Sequence, residues 1–205
     1  MNSDGEKCEE FIRNIFSFNK EISELIATID GQFKDEGWIS ATENTIPMVI
    51  CKSTLEKHNE WYPSEFFRFY KKSDLKILLF VCIILVERAD QAFKYDNLNE
   101  PIITAGWFDC SDSDEILKIK GKSNEKMRRL SRIHCCSKNQ LINGEIEEIT
   151  TDNIKGEFKK YPLIFKRAFV FAYPLISIRN AADLKQKISE ILIKEINKIG
   201  EWVKP

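Results

Sequence analysis

Histidine is almost missing from this chain: His58 and His134 are the only two in 205 residues. Neither stands in an H-E-x-x-H sequence or follows a G-x-S-x-G elbow, so the motifs of zinc hydrolases and of serine hydrolases are excluded in their usual forms. An excess of charge is missing too. Thirty-one basic residues oppose thirty-two acidic ones, for a net charge of -1 and a pI near 6.2, so no global field draws the protein to nucleic acid or anionic lipid. A bilayer-spanning run is lacking: the longest apolar stretch, Leu75 to Val86, contains Lys76 and falls short of the ~20 residues that cross a membrane as helix. The opening Met1-Asn2-Ser3-Asp4-Gly5-Glu6 is polar and acidic and lacks the basic-then-apolar order of a secretory leader. The expectation is a cytoplasmic protein without a membrane partner.

What is present is the composition of a folding chain. Hydrophobic residues at 43% provide the apolar area needed to offset the entropy of ordering the backbone. A length of 205 residues suits one domain spanning 1–205. The six cysteines, Cys8, Cys51, Cys82, Cys110, Cys135 and Cys136, contain no C-x-x-C pair and read as free thiols in a reducing compartment.

Hydrophobic spacing predicts the elements. Phe11, Ile12, Ile15, Phe16, Ile22, Leu25, Ile26, Ile29 and Phe33 recur at intervals of three and four, one stripe of a long helix that Ser3 or Asp4 would cap and Gly37 would stop. Ile46-Pro47-Met48-Val49-Ile50 reads as an edge strand, since proline cannot donate to a central ladder. Lys52 to Lys72, dense in aromatics, reads as a short helix or turn that lids the core. Leu75 to Val86, apolar without alternation, predicts a strand buried on both faces, with a helix running on to Phe93 as the competing reading. Pro101 to Phe108 predicts its neighbour. Asp109 to Asn143 is polar and irregular, and Tyr161 to Ile178 alternates into a long strand that Pro174 ends or bends. Asn180 would cap a final helix striped by Leu184, Ile188, Ile191, Leu192, Ile196 and Ile199. The fold class expected is therefore α/β of the α+β type: two layers, a mainly antiparallel sheet of about four or five strands packed against long N- and C-terminal helices.

Few motifs survive scrutiny. Gly121-Lys122-Ser123 ends like a phosphate-binding loop, but the glycine required five positions earlier is Ile116, so a solvated turn is preferred. Cys110, His134, Cys135 and Cys136 are zinc-type ligands, yet adjacent cysteines chelate one tetrahedral ion poorly. The element order is loosely similar to that of the restriction-type nuclease core. That core needs an acidic-x-lysine pair on its second central strand to hold magnesium, and Pro101 to Phe108 has none. No motif implies a cofactor.

Three local features remain. Asp109, Asp112, Asp114 and Glu115 gather oxygen ligands for magnesium or calcium, against the reading of an acidic helix-capping turn; position twelve of a calcium loop starting at Asp109 is Lys120. Lys118, Lys120, Lys122, Lys126, Arg128, Arg129 and Arg132, extended by Lys138, could hold a phosphate backbone with Trp107 stacking on a base, against the reading of a solvated loop balanced by the acidic turn. Trp61, Tyr62, Phe66, Phe67 and Tyr70 could form a protein-docking face, against the reading of core under a long loop. The functional expectation, in order, is a non-catalytic binding or assembly module that engages another protein or a second copy, then a nucleic-acid or phosphate-ligand binder acting through 118–138, then a metal-dependent hydrolase or nuclease using 109–115.

Overall fold

The computed structural model describes residues 4–41, 46, 48–49, 63–73, 75–85, 100–110, 130, 133, 144–150, 152 and 165–202. It opens with a 32-residue helix, α1 (Asp4–Asp35), followed by β1 (Ile39–Ser40), β2 (Met48–Val49), β3 (Glu65–Lys71), β4 (Ile77–Ile84), β5 (Ile102–Cys110), β6 (Glu147–Thr150) and β7 (Phe165–Pro174). A 3-10 turn (Leu175–Ser177) leads to a C-terminal helical run made of α2 (Ala181–Leu184), a π-helical turn (Lys185–Ser189) and α3 (Glu190–Trp202). The class is α+β, as the hydrophobic spacing predicts.

All strand pairs are antiparallel and form one sheet in the order β1-β3-β4-β5-β7-β6. β1 and β2 share the outer edge of β3, one pairing with Tyr70 and Lys71 and the other with Glu65 and Phe66. The sheet is thus wider than the expected four or five strands, because β6 and the two-residue edge pieces lack the length that makes alternation readable. β2 lies where the Ile46–Ile50 reading put an edge strand.

β4 organises the sheet. Every residue from Ile77 to Ile84 is buried. Leu78, Phe80, Cys82 and Ile84 join Phe67, Phe69, Phe108, Phe165 and Val170 in one core, while Ile77, Leu79, Val81 and Ile83 face the helices with Trp107, Phe171, Leu184, Ile188 and Leu192. A strand with no wet face has no polar alternation, which is why this run reads as continuous hydrophobe. The second face is as buried as the helix-covered one, and Leu130 and Ile133 are part of its core, so the two-layer description covers only the helix side. The aromatic stretch expected as a lid is instead β3. Phe67 and Phe69 point to one core and Phe66 and Tyr70 to the other, because a period of two with both faces covered suits a strand rather than a turn.

Helix boundaries follow their end chemistry. Gly37 adopts φ +80°, and its N–H and that of Trp38 donate to the carbonyls of Lys34 and Phe33 at 2.9 Å. This Schellman closure satisfies orphan carbonyls and packs Trp38 beside Phe33 in the core. Asn180 accepts at Oδ1 from the N–H groups of Ala182 and Asp183, both at 2.9 Å, the cap expected of it.

Two glycines should respond oppositely to alanine. At Gly106, paired with Phe80 in the middle of the sheet, a Cβ would sit 1.8 Å from the Phe169 carbonyl oxygen. Gly106→Ala should therefore cost about 3 kcal/mol or prevent folding. At Gly31, on α1, nothing lies within 4 Å of the added carbon, and Gly31→Ala should stabilise by about 0.5–1 kcal/mol. Urea unfolding followed by circular dichroism measures both. A neutral Gly106→Ala would contradict the β4-β5-β7 register.

Candidate functional site

The docking face expected at Trp61, Tyr62, Phe66, Phe67 and Tyr70 is corrected where it can be seen. Phe66, Phe67 and Tyr70 are core residues of β3 with almost no exposed surface, and Trp61 and Tyr62 lie outside the described residues. Of the acidic group, Asp109 stands on β5 and accepts from Arg167 Nε and Nη2 at 3.3 and 3.2 Å, while Arg167 also approaches Glu148 at 3.8 Å. An arginine already occupies this carboxylate. Asp112, Asp114 and Glu115 lie outside the described residues, as do Lys118, Lys120, Lys122, Lys126, Arg128, Arg129 and Arg132. Trp107 is unsuited to stacking on a base, because it is buried against the Phe169 ring at 4.6 Å and 14°. Cys110 is buried, and burial together with the neighbouring Asp109 carboxylate pushes its thiol up to about 12, which makes it an inert thiol.

Among the described residues, a cluster of apolar side chains reaches solvent on the N-terminal half of α1. At about 100° per residue, Cys8, Phe11, Ile15 and Phe18 share the azimuth of Ile22, Ile26, Ile29 and Phe33, and Ile12 and Phe16 widen the stripe to one side. The sequence spacing makes Phe11 to Phe33 one stripe of a helix packed on the sheet. The structure divides it: Ile22, Ile26, Ile29 and Phe33 are buried, whereas Phe11 is 65%, Ile12 50% and Phe16 68% exposed. The signal that separates the halves is length. A 32-residue helix runs about 48 Å, and a 7- to 10-residue strand only about 23–33 Å, so the sheet covers little more than half of it.

The buried half of α1 is fastened by a polar clamp as well as by packing. Arg68 of β3 donates from Nε and Nη2 to the two carboxylate oxygens of Asp30, at 3.1 and 2.5 Å, and the Tyr70 hydroxyl donates to the same carboxylate at 2.7 Å. Arg68 is 6% and Asp30 31% exposed, so this forked pair is sheltered and geometrically specific. Burial, then the Asp30 charge, raise the Tyr70 hydroxyl well above its ordinary range. The Phe33 ring meets Tyr70 edge-on at 4.6 Å. Gln32 reaches the C-terminal run, donating to the Ala181 carbonyl at 3.2 Å and accepting from the Ser189 hydroxyl at 2.5 Å.

The exposed half has ion pairs of a different kind. Lys7 with Asp4, Arg13 with Glu9 and Lys20 with Glu24 are all exposed and all within the helix. Pairs of this type add about 0.3–0.5 kcal/mol each to helicity and tie the helix to nothing else. A cavity of about 580 Å³ opens between Gln32 and Asp35 on α1, Glu36 just after it, and Lys185, Glu190 and Lys194 on the C-terminal run. With Lys198 its lining carries three acidic and three basic side chains, and it favours ligands of neither sign. Among the described residues no group of three His, Cys, Asp or Glu side chains is placed to hold a metal ion, and no helix is long and apolar enough to cross a membrane. No family model, curated protein or solved structure matches this chain.

The division of α1 predicts two contrasting sets of substitutions. Asp30→Ala removes the carboxylate shared by the Arg68 guanidinium and the Tyr70 hydroxyl and should cost about 3 kcal/mol, while Phe11→Ala and Phe16→Ala should each stay within about 0.5 kcal/mol. Chemical denaturation distinguishes the sets, and a core-sized cost at Phe11 would contradict the exposure of that half. The alkaline limit follows from Cys110. Its folded value of about 12 lies above the ordinary 9.0, so the unfolded chain loses this proton first. Its contribution is therefore intact below pH 9 and declines as pH rises from 9 towards 12. Cys110→Ala should flatten that decline; an unchanged slope assigns it elsewhere.

Proposed function

We propose that this chain is a non-catalytic assembly module that docks another protein through the exposed stripe of α1. The observation that carries the reading is the clustering of Phe11, Ile12 and Phe16, each half exposed or more, within two turns of one helix. Single exposed hydrophobes are ordinary on protein surfaces, but at these exposures the three side chains present on the order of 300 Å² of contiguous apolar area, the size at which surface patches take up partners. The pairs Phe11 with Ile15 and Ile12 with Phe16 stand four residues apart, the spacing by which a helix lays anchors into an apolar groove or against a second helix.

The partner's class follows from the charges around the stripe. Asp4, Glu6, Glu9 and Glu10 crowd the first turns with only Lys7 among them. An interfacial helix that lies on anionic lipid needs a basic polar face, whereas residues 4–20 set these four acids against Lys7, Arg13 and Lys20, and a face of mixed sign favours a protein. The functional class is the one expected from the sequence, with the docking surface on α1 in place of the β3 aromatics.

Photo-crosslinking in the producing cell tests it. A photoreactive side chain at position 16 should yield a protein adduct, and the same group at Ser17, on the opposite side of the helix, should yield none. Silence at both positions 11 and 16, or equal capture from 17, would end this reading.

A further inference from the structure

We infer that the cleft between the C-terminal end of α1 and the C-terminal run binds a small zwitterion, a molecule of the amino-acid or short-peptide class with one ammonium and one carboxylate. The cleft lies at the opposite end of α1 from the exposed stripe, so this site is independent of the docking role.

A helical irregularity shapes the cleft. Leu184, Ile188, Leu192 and Ile196 are buried in the helix-side core at intervals of four. In an uninterrupted α-helix that spacing drifts by about 40° per step, which would carry the last side chain away from the sheet. The π-helical turn Lys185–Ser189, closed by the Glu190 N–H on the Lys185 carbonyl, takes up much of the drift. The same spacing aligns Lys185, Ser189, Ile193 and Asn197 as a second stripe, and all four line the cleft. α1 meets the run chiefly at α2 and the π-helical turn, where Gln32 reaches the Ala181 carbonyl and the Ser189 hydroxyl. Beside α3 the two part, and the space of about 580 Å³ is of a size that holds small molecules.

The two walls differ in sign, and their charges are not spent on each other. Lys185 lies 3.9 Å from Glu190, and Lys198 donates to Glu195 at 2.5 Å, so these four side chains balance within the run. Asp35 and Glu36 stand on the α1 side and Lys194 on α3. Among the described residues, none of these three side chains has an ion-pair or hydrogen-bond partner, and no bridge closes the cleft. A lone cation entering it would meet Lys194, and a lone anion would meet two carboxylates. A molecule carrying both charges sets its ammonium against Asp35 and Glu36 and its carboxylate against Lys194, with the Asn197 amide as a further donor. Ile193 supplies an apolar wall for the rest of it.

Amide shifts in nitrogen-15 NMR spectra of the full chain test the site, with the standard amino acids and alanylalanine as probes. At least one of them should give saturable shifts at Gln32, Lys194 and Asn197 with a Kd of about 1 mM. N-acetylating or amidating that probe removes one charge and should weaken binding by about 10-fold or more. Lys194→Gln should weaken the zwitterion by about 10-fold and leave its amide unaffected. Asp35→Asn with Glu36→Gln should weaken the zwitterion and leave its N-acetyl form unaffected, with the circular dichroism spectrum unchanged in both variants. The absence of saturable shifts from every probe up to about 20 mM, or equal binding of the charged and blocked forms, would overturn the inference. So would variants that bind the zwitterion as the parent chain does.

Discussion

The length mismatch between α1 and the sheet is the constraint from which the rest of the surface follows. A strand advances about 3.3 Å per residue and a helix 1.5 Å, so strands of seven to ten residues bury only part of a 32-residue helix. The apolar stripe does not stop where the sheet stops. It continues through Ile15, Phe11 and Cys8 at an unchanged azimuth, and those side chains reach water because, among the described residues, no strand extends beneath them. The exposed patch is thus a consequence of two element lengths.

The clamp between α1 and β3 makes that projection definite in direction. Packing of Ile22, Ile26, Ile29 and Phe33 is strong but tolerant of sliding, since apolar contact has no preferred angle. The fork of Arg68 on Asp30, shared with the Tyr70 hydroxyl, fixes the rotation and register of the helix over β3. The Schellman closure at Gly37 then turns the chain back into Trp38 and β1, against the edge of that same strand. One end of the helix is held in three ways, so the other extends from a rigid base, and surface ion pairs within the helix add to its winding.

Legibility in the sequence tracked how much of each element's environment was local. Asn180 as a cap, Gly37 as a stop and the unbroken apolar run of β4 were readable, because capping, φ > 0 and burial on both faces each leave a mark on adjacent residues. β3 was misread because Phe66-Phe67-Arg68-Phe69-Tyr70 has no polar alternation to declare it a strand, and its one charged member is neutralised by Asp30, 38 residues earlier. β6 was missed because four residues hold too little periodicity. Aromatic density marks core here rather than a docking surface, as Phe66, Phe67 and Tyr70 show. Its replacement on α1 carries an ordinary amphipathic pattern, and only the lengths of helix and strands, taken together, separate its wet half from its dry one.

Hydrogen exchange along α1, measured amide by amide, bears most directly on this account. Amides from Ile22 to Phe33 should exchange only with global unfolding. Amides from Cys8 to Phe16 should exchange faster, through local opening of the exposed half. Equal protection along the whole helix would mean that the chain covers its own N-terminal stripe, and would contradict the exposed half on which the functional reading rests.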